Sequence, residues 1–377
     1  MTTLGRVPET DPSDPSGGEP LPDAFRKAIE DTLTSFVAGQ RDLLGALGPD
    51  LGPLFDAAQV AVEGGKRLRA AFVYWGWRAA GGSASKTDRI LRAAAAVELV
   101  HASALVHDDV IDASATRRGR PTAHVSFARL RRPETAPDAV PGTAERFGSS
   151  AAILLGDLLL AWSGELFTES GFKPKAIARG RIYFDKLRRE VVAGQYLDVL
   201  AQTRRRSSAS DAMRVLLYKS AKYTVERPLQ LGAALGGADR ELLRALSSYG
   251  VPLGEAFQLR DDLLGVFGEV RLTGKPSGDD IREGKRTLLM ARALDKADDA
   301  QRSLLEAALA TNGDLDDAAI AAVQHTLAET GAVAAVETVI AELTSAAVAS
   351  LRHAPIEDDQ ARTALRTLGD RATNRST

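Results

Sequence analysis

The chain has 377 residues, with 48 Lys and Arg against 50 Asp and Glu, for a net charge of −2. Near-neutrality excludes a global field that would draw it onto nucleic acid or an anionic membrane, so any affinity for anions must come from local clusters. Cysteine is absent, which removes disulfides, thiolate metal sites and cysteine nucleophiles and suits a reducing cytoplasm.

Residues 1–22 are rich in Pro, Gly, Asp and Glu, without the basic start or apolar core of a signal peptide, and read as a disordered leader. Beyond them Ala and Leu recur at spacings of three and four, and the alternating Val/Ile/Thr runs of strands are missing. The pattern predicts helices over 23–46, 54–80, 85–113, 145–169, 174–202, 208–236 and 238–268, then a shorter set over 298–370. Breaks fall at Gly48-Pro49, Gly81-Gly82, Gly236-Gly237 and Gly274-Lys275-Pro276. Pro133, Pro137 and Pro141 make 131–145 a flexible insertion, and the glycines and charges of 268–285 make a mobile lid. Residues 371–377 read as a disordered tail. No linker separates two cores, so the expectation is one all-α domain over 23–370, a helical bundle around a central apolar cavity. Glu98, His101 and Asp157 interrupt the most apolar stretches, which therefore fall short of the roughly 18 uncharged residues of a spanning helix.

The sharpest motif is Asp108-Asp109-Val110-Ile111-Asp112, which ends an apolar run beginning at Val97. On a helix Asp108 and Asp112 share a face one turn apart, with Asp109 about 100° round. Carboxylates so spaced can share hard cations through oxygen, which suits Mg²⁺. Uncompensated, three of them would repel and their pKa values would rise. A solvated acidic helix end is the plain alternative; an EF-hand is excluded because its glycine and bidentate glutamate are missing. A second pair, Asp261-Asp262, follows another apolar helix, with Gln258 one turn before Asp262. It is weak alone and gains weight as a second copy.

Cations surround both sites. Gly64-Gly65-Lys66-Arg67-Leu68-Arg69 sets Lys66 and Arg69 three apart at a helix start, where free N–H groups also attract anions. Arg117-Arg118-Gly119 follows the first motif, Lys219 and Lys222 stand on a further helix, and Lys275 and Lys285 flank the lid. Each alone reads as a surface charge; together they read as binding groups for phosphate. The Gly-Lys pairs at 65–66, 274–275 and 284–285 lack the P-loop spacing, its Ser/Thr and a preceding strand, which rejects that nucleotide site.

With these residues the chain resembles the trans-isoprenyl diphosphate synthases, in their bacterial geranylgeranyl diphosphate synthase-like form, from about Gly64 to Met290. The segments GGKRLR, HDDVID, RRGRPTAH, GDLLL, GQYLD, KSAKYT, FQLRDD and TGKPSGDDIREGKRT stand in the family's order. The resemblance implies condensation of isopentenyl diphosphate with an allylic diphosphate, through a carbocation, to a trans-prenyl diphosphate. It also implies Mg²⁺, usually as three ions, and a homodimer. Asp108 and Asp112 would be metal ligands of the first site with Asp109 in support, and Asp261 of the second with Asp262 in support. Arg117, Lys219, Lys275 and Lys285 would clamp the allylic diphosphate. Lys66, Arg69, His101 and Arg118 would bind isopentenyl diphosphate. Thr224, Gln258 and the Lys219 carbonyl would face the carbocation, and Gln195 and Asp198 match a region near the allylic site.

One position departs from the family. The second motif usually ends in a third aspartate where this chain has Gly265, leaving Asp279 or, better placed, Asp280 to help through water. Ala104 and Ser103, just before the first motif, are small where bulky residues would stop growth early. The resemblance then points to geranylgeranyl diphosphate, with Val100 and Val97 as a partial floor. A class I terpene cyclase is the first alternative, opposed by Lys66, Arg69 and Arg118. A non-catalytic subunit of a heteromeric synthase is the second, suggested by Gly265 and opposed by the intact first motif and lysines.

Overall fold

Apolar residues three and four apart give each helix one stripe to bury, and packing of those stripes accounts for nearly the whole molecule. The computed structural model describes residues 20–204, 208–268, 277–310 and 315–373. The helices are α1 Asp23–Leu44, α2 Gly52–Val62, α3 Leu68–Ala79, α4 Thr87–Ile111, α5 Ala123–Arg129, α6 Ala144–Thr168 and α7 Pro174–Gln202. Then come α8 Ala209–Leu216, a π-helix Leu217–Glu226, α9 Arg227–Gly236, α10 Arg240–Phe267 and the short α11 Asp279–Arg282. The chain closes with α12 Leu288–Lys296, α13 Asp299–Ala310, α14 Asp317–Glu329, α15 Ala332–Arg352 and α16 Asp359–Thr373. The fold is all-α, as expected; among the described residues the one sheet is a hairpin of Thr116–Arg117 with Arg120–Pro121.

Two apolar clusters hold the bundle. The larger joins α1, α3, α4, α6, α9 and the first half of α10, and includes Trp75, Phe72, Val97 and Tyr249. The smaller gathers α8, α12 to α15 and the second half of α10 through Leu259, Leu263 and Val266. One continuous helix, α10, therefore enters both clusters with no linker between them.

Several boundaries differ from the sequence reading. The helix expected over 54–80 is broken at Glu63–Arg67, because Gly64, Gly65 and Arg67 all have positive φ. The helix expected over 208–236 is continuous but widens into the π-helix at its centre. The structured chain begins ahead of Asp23, since the Pro20 carbonyl accepts a hydrogen bond from the Trp75 indole at 3.0 Å; the rest of the proposed leader, 1–19, lies outside the described residues. At the other end α16 continues to Thr373, buried and accepting from Arg260 Nε at 3.0 Å, which corrects the tail boundary at 371. Residues 131–145 fold as successive turns around buried Ala136, and most of the lid, 269–276, lies outside the described residues.

Three helices, α4, α6 and α15, are long and apolar enough by length and composition to cross a membrane, contrary to the reading from their ionisable residues. In α4 that apolarity serves the core, with 72% of the window buried.

Candidate active site

Asp108 and Asp109 lie in the last turn of α4 and Asp112 caps its C-terminus. That end of a helix is its negative pole, so the helix does nothing to stabilise carboxylates there. Asp108 Oδ1 accepts from Gln195 Nε2 at 2.8 Å and lies 3.5 Å from Lys219 Nζ, which donates to Asp198 at 2.6 Å. The two residues matched to the allylic region, Gln195 and Asp198, are thus brought to the first motif. Burial, then the charge of Asp108, pushes the Asp112 carboxyl up to about 7. Asp109 differs. It is buried on the flank of α4 and receives Arg117 Nε on both oxygens, at 2.8 and 3.0 Å. Counted from the sequence among the cation-binding carboxylates, it is instead committed to Arg117.

Lys219 owes its place to the π-helix. A Cβ on Gly194 of α7 would come within 2.3 Å of the Lys219 nitrogen, and one on Gly254 of α10 within 2.6 Å of Ala221 Cα. Only glycine at these positions lets both helices close on the wide turn, a form often found at functional sites. Burial alone would lower the Lys219 ammonium; Asp108 and Asp198 outweigh it and raise the pKa. Lys222, three residues on, binds Glu226 at 3.0 Å and takes no part in this group.

A second, cationic pocket lies beside α4. Gly64, Lys66, Arg69, His101 and Arg118 line a cavity of about 300 Å³. Arg118 and Gly119 both have positive φ at the tip of the two-residue hairpin, the geometry that such tight loops require. Arg118 Nη1 then donates to the Glu63 carbonyl at 2.9 Å, with Gly65 leaving room for the guanidinium. Arg69 stacks on the Tyr223 ring with 4.5 Å to the centroid and donates to Thr224 Oγ1 at 3.0 Å, while its buried Nε has no partner among the described residues. His101 Nδ1 lies 3.1 Å from the Tyr223 hydroxyl. Burial and then Arg69 and Arg118 hold this imidazole well below its ordinary pKa, so it is neutral. Thr224 is itself 1% exposed, so its hydroxyl serves Arg69 instead of an open cavity. His107 sits apart, with Nε2 3.1 Å from the Ile153 carbonyl.

The second motif lies within the last two turns of α10. Gln258 Nε2 donates to Asp262 Oδ1 at 2.8 Å, and Asp261 is half-buried beside it. Burial, then Asp280, pushes Asp262 up to about 7. Asp280 reaches this point from α11: a Cβ on Gly265 would stand 2.0 Å from its Oδ2. Lys285 Nζ donates to Asp280 at 2.6 Å and pairs with Glu283 at 2.7 Å. Lys275 lies outside the described residues. Glu283 was not foreseen; it pairs with Lys285, and its charge adds to the upward push on the Asp112 carboxyl. Tyr223 was likewise missed as a site residue, because contacts across helices leave no local spacing to read.

Among the described residues no three acidic or histidine side chains converge on a single cation position. The donor set still fits Mg²⁺, which is bound through one or two carboxylates together with water and substrate phosphate oxygens. Asp108, Asp112, Asp261 and Asp262 offer such oxygens, and the raised values at Asp112 and Asp262 mark carboxylates short of positive charge.

The sequence pattern of the polyprenyl synthetases matches residues 53–327. A geranylgeranyl diphosphate synthase of Methanosarcina mazei is 33% identical over 244 residues, 64% of this chain and 68% of that protein. One from Mycobacterium tuberculosis is 35% identical over 250 residues, 66% of this chain and 64% of its own. Among solved structures, a geranylgeranyl pyrophosphate synthase of Corynebacterium glutamicum, complexed with isoprenyl diphosphate and magnesium, superposes with a TM-score of 0.88 at 38% identity. That match covers 94% of this chain and 99% of the other. A Caulobacter crescentus polyprenyl synthase complexed with calcium and isoprenyl diphosphate gives 0.71 at 28% identity, covering 93% of each chain. By its sequence, its fold and the layout of its two acidic motifs, the chain belongs to the polyprenyl synthetase family and is a prenyl-transferring enzyme.

Proposed function

We propose that this enzyme uses Mg²⁺ to join isopentenyl diphosphate to an allylic diphosphate, giving a trans-prenyl diphosphate of geranylgeranyl length. The observation that carries the reading is an acidic mouth at Asp108–Asp112, at the end of α4, beside a cationic pocket that His101 of the same helix lines together with Lys66, Arg69 and Arg118 from other elements. Two diphosphates need two separate cationic holders, and a cyclase would need only one.

Asp108, Asp112 and Asp261 would hold Mg²⁺, with Asp262 beside them; when bound, the ions neutralise the charge that develops on the departing diphosphate. Lys219 and Lys285 supply fixed positive charge at the same mouth, and Arg117, held by Asp109, supplies a third. Lys66, Arg69 and Arg118 bind the second diphosphate, with neutral His101 as a hydrogen-bonding neighbour. Thr224 and Gln258 act by positioning Arg69 and Asp262, in place of direct contact with the carbocation. The segment around Lys285 would close over the mouth and exclude water.

Chain length rests on α4. Ala104 is small and half-buried, whereas Ser103, Val100 and Val97 are packed into the core, which supports a tunnel open at 104 and closed deeper. A homodimer is supported by exposed apolar residues on α6 and α7, namely Leu154, Val192 and Tyr196.

Purified enzyme with Mg²⁺, labelled isopentenyl diphosphate and dimethylallyl, geranyl or farnesyl primers tests the proposal by product chromatography. Geranylgeranyl diphosphate is the expected product. An end at farnesyl diphosphate removes the length assignment, and no turnover without an added homologue favours a subunit role.

A further inference from the structure

Glu98 is a buried carboxylate with no part in the chemistry above. It lies on α4 one turn before His101, and it is 5% exposed. Its Oε1 accepts the Ala70 N–H of α3 at 3.0 Å, satisfying one of the free donors of that helix's first turn. Its Oε2 pairs with Arg67 Nη1 at 3.5 Å, and the same guanidinium donates through Nη2 to the Val62 carbonyl. Arg67 is itself 6% exposed.

The backbone explains why such a pair is kept. Arg67 is in the left-handed region, at φ 54°, with Lys66 between it and two glycines at 65° and 93°. Glycine adopts that conformation freely, whereas arginine does so only when its surroundings hold it. Lys66 and Arg69 project from the two sides of this turn into the cationic pocket. A buried carboxylate that grips Arg67 and Ala70 together therefore ties the turn to the helix that carries His101 and the first acidic motif.

We propose that Glu98 is a positioning residue for isopentenyl diphosphate, acting through Arg67 to hold the left-handed turn that aims Lys66 and Arg69. This rests on the assignment of the pocket to that substrate. The effect belongs to one substrate only, because Lys219, Arg117 and Lys285 are held by other carboxylates, Asp198, Asp109 and Asp280.

The test is steady-state kinetics on Glu98→Gln, with isopentenyl and farnesyl diphosphate varied in turn and the melting temperature recorded. The KM for isopentenyl diphosphate should rise about tenfold while kcat and the KM for farnesyl diphosphate stay within about twofold, the signature of lost binding without lost chemistry. An unchanged KM for isopentenyl diphosphate, or equal rises for both substrates, overturns the proposal. Should Glu98→Gln fail to fold, Arg67→Gly and Arg67→Ala decide it. Glycine keeps the turn without strain, so its KM for isopentenyl diphosphate should rise less than that of alanine; the reverse order overturns the proposal. Failure of the prenyl-transfer assignment would show separately, as absence of turnover in the unmodified enzyme.

Discussion

The two acidic motifs share their letters and differ in almost everything around them. The first closes α4, in the larger core, with Lys219 and Gln195 on Asp108 and with Arg117 fixed by Asp109. The second lies on the half of α10 that enters the smaller core, where Asp262 accepts from the neutral amide of Gln258 and the repulsion of Asp280, from α11, outweighs the charge of Lys285. Gly265 makes that approach feasible, since a side chain there would occupy the place of the Asp280 carboxylate. A motif thus draws its strength from the charges that the fold delivers to it, and the second depends on a segment beyond the helix that bears it.

The largest effects should come from the first motif. Asp108→Ala or Asp112→Ala removes an expected metal ligand and should lower kcat by about a thousandfold or more, an effect in the range of losing a direct charge contact in the transition state. Asp261→Ala should follow, with Asp262→Ala milder, because Asp261 is the proposed principal ligand of the second motif. Equal losses at 261 and 262 would break the assignment of Asp261 as principal ligand.

Gly265→Asp sharpens the comparison from the other side. It restores the family's usual letter but should cost activity roughly ten- to a hundredfold, the range seen when a group supporting a metal site is displaced. A gain in activity would show that Asp280 is no substitute.

The smallest effect is a pH dependence. Asp112 and Asp262 stand near 7 against an ordinary 3.8, so ionising them costs the folded state. Their penalty is absent below the unfolded value and full above about 7, so metal-free protein loses stability as pH rises through that window. Mg²⁺ must displace these protons. The rise in melting temperature at a fixed, sub-saturating Mg²⁺ concentration should therefore grow between about pH 5.5 and pH 8. A flat response would sink the idea that these two carboxylates await a cation.

Much of this was legible in the chain. The bounds of α7 were read correctly at 174 and 202, and those of α4, α6 and α10 within two residues, because periodic apolar spacing and helix breakers act locally. The break between α2 and α3 was not read, since apolar periodicity runs on either side of Arg67, and the left-handed Arg67 pairs with Glu98, 31 residues away in the chain. The π-helix was not read either; it arises where Gly194 and Gly254 admit two other helices.

By itself the sequence determined the helical class, the two aspartate motifs and the cations that travel with them, because residue type and spacing along a helix set which groups share a face. Tertiary structure alone decided the pairings: Asp109 with Arg117, Lys219 with Asp198, Asp280 over Gly265. Those depend on distances between helices far apart in the chain, and in a low-dielectric interior such distances decide which carboxylate is neutralised and which is left to bind a cation.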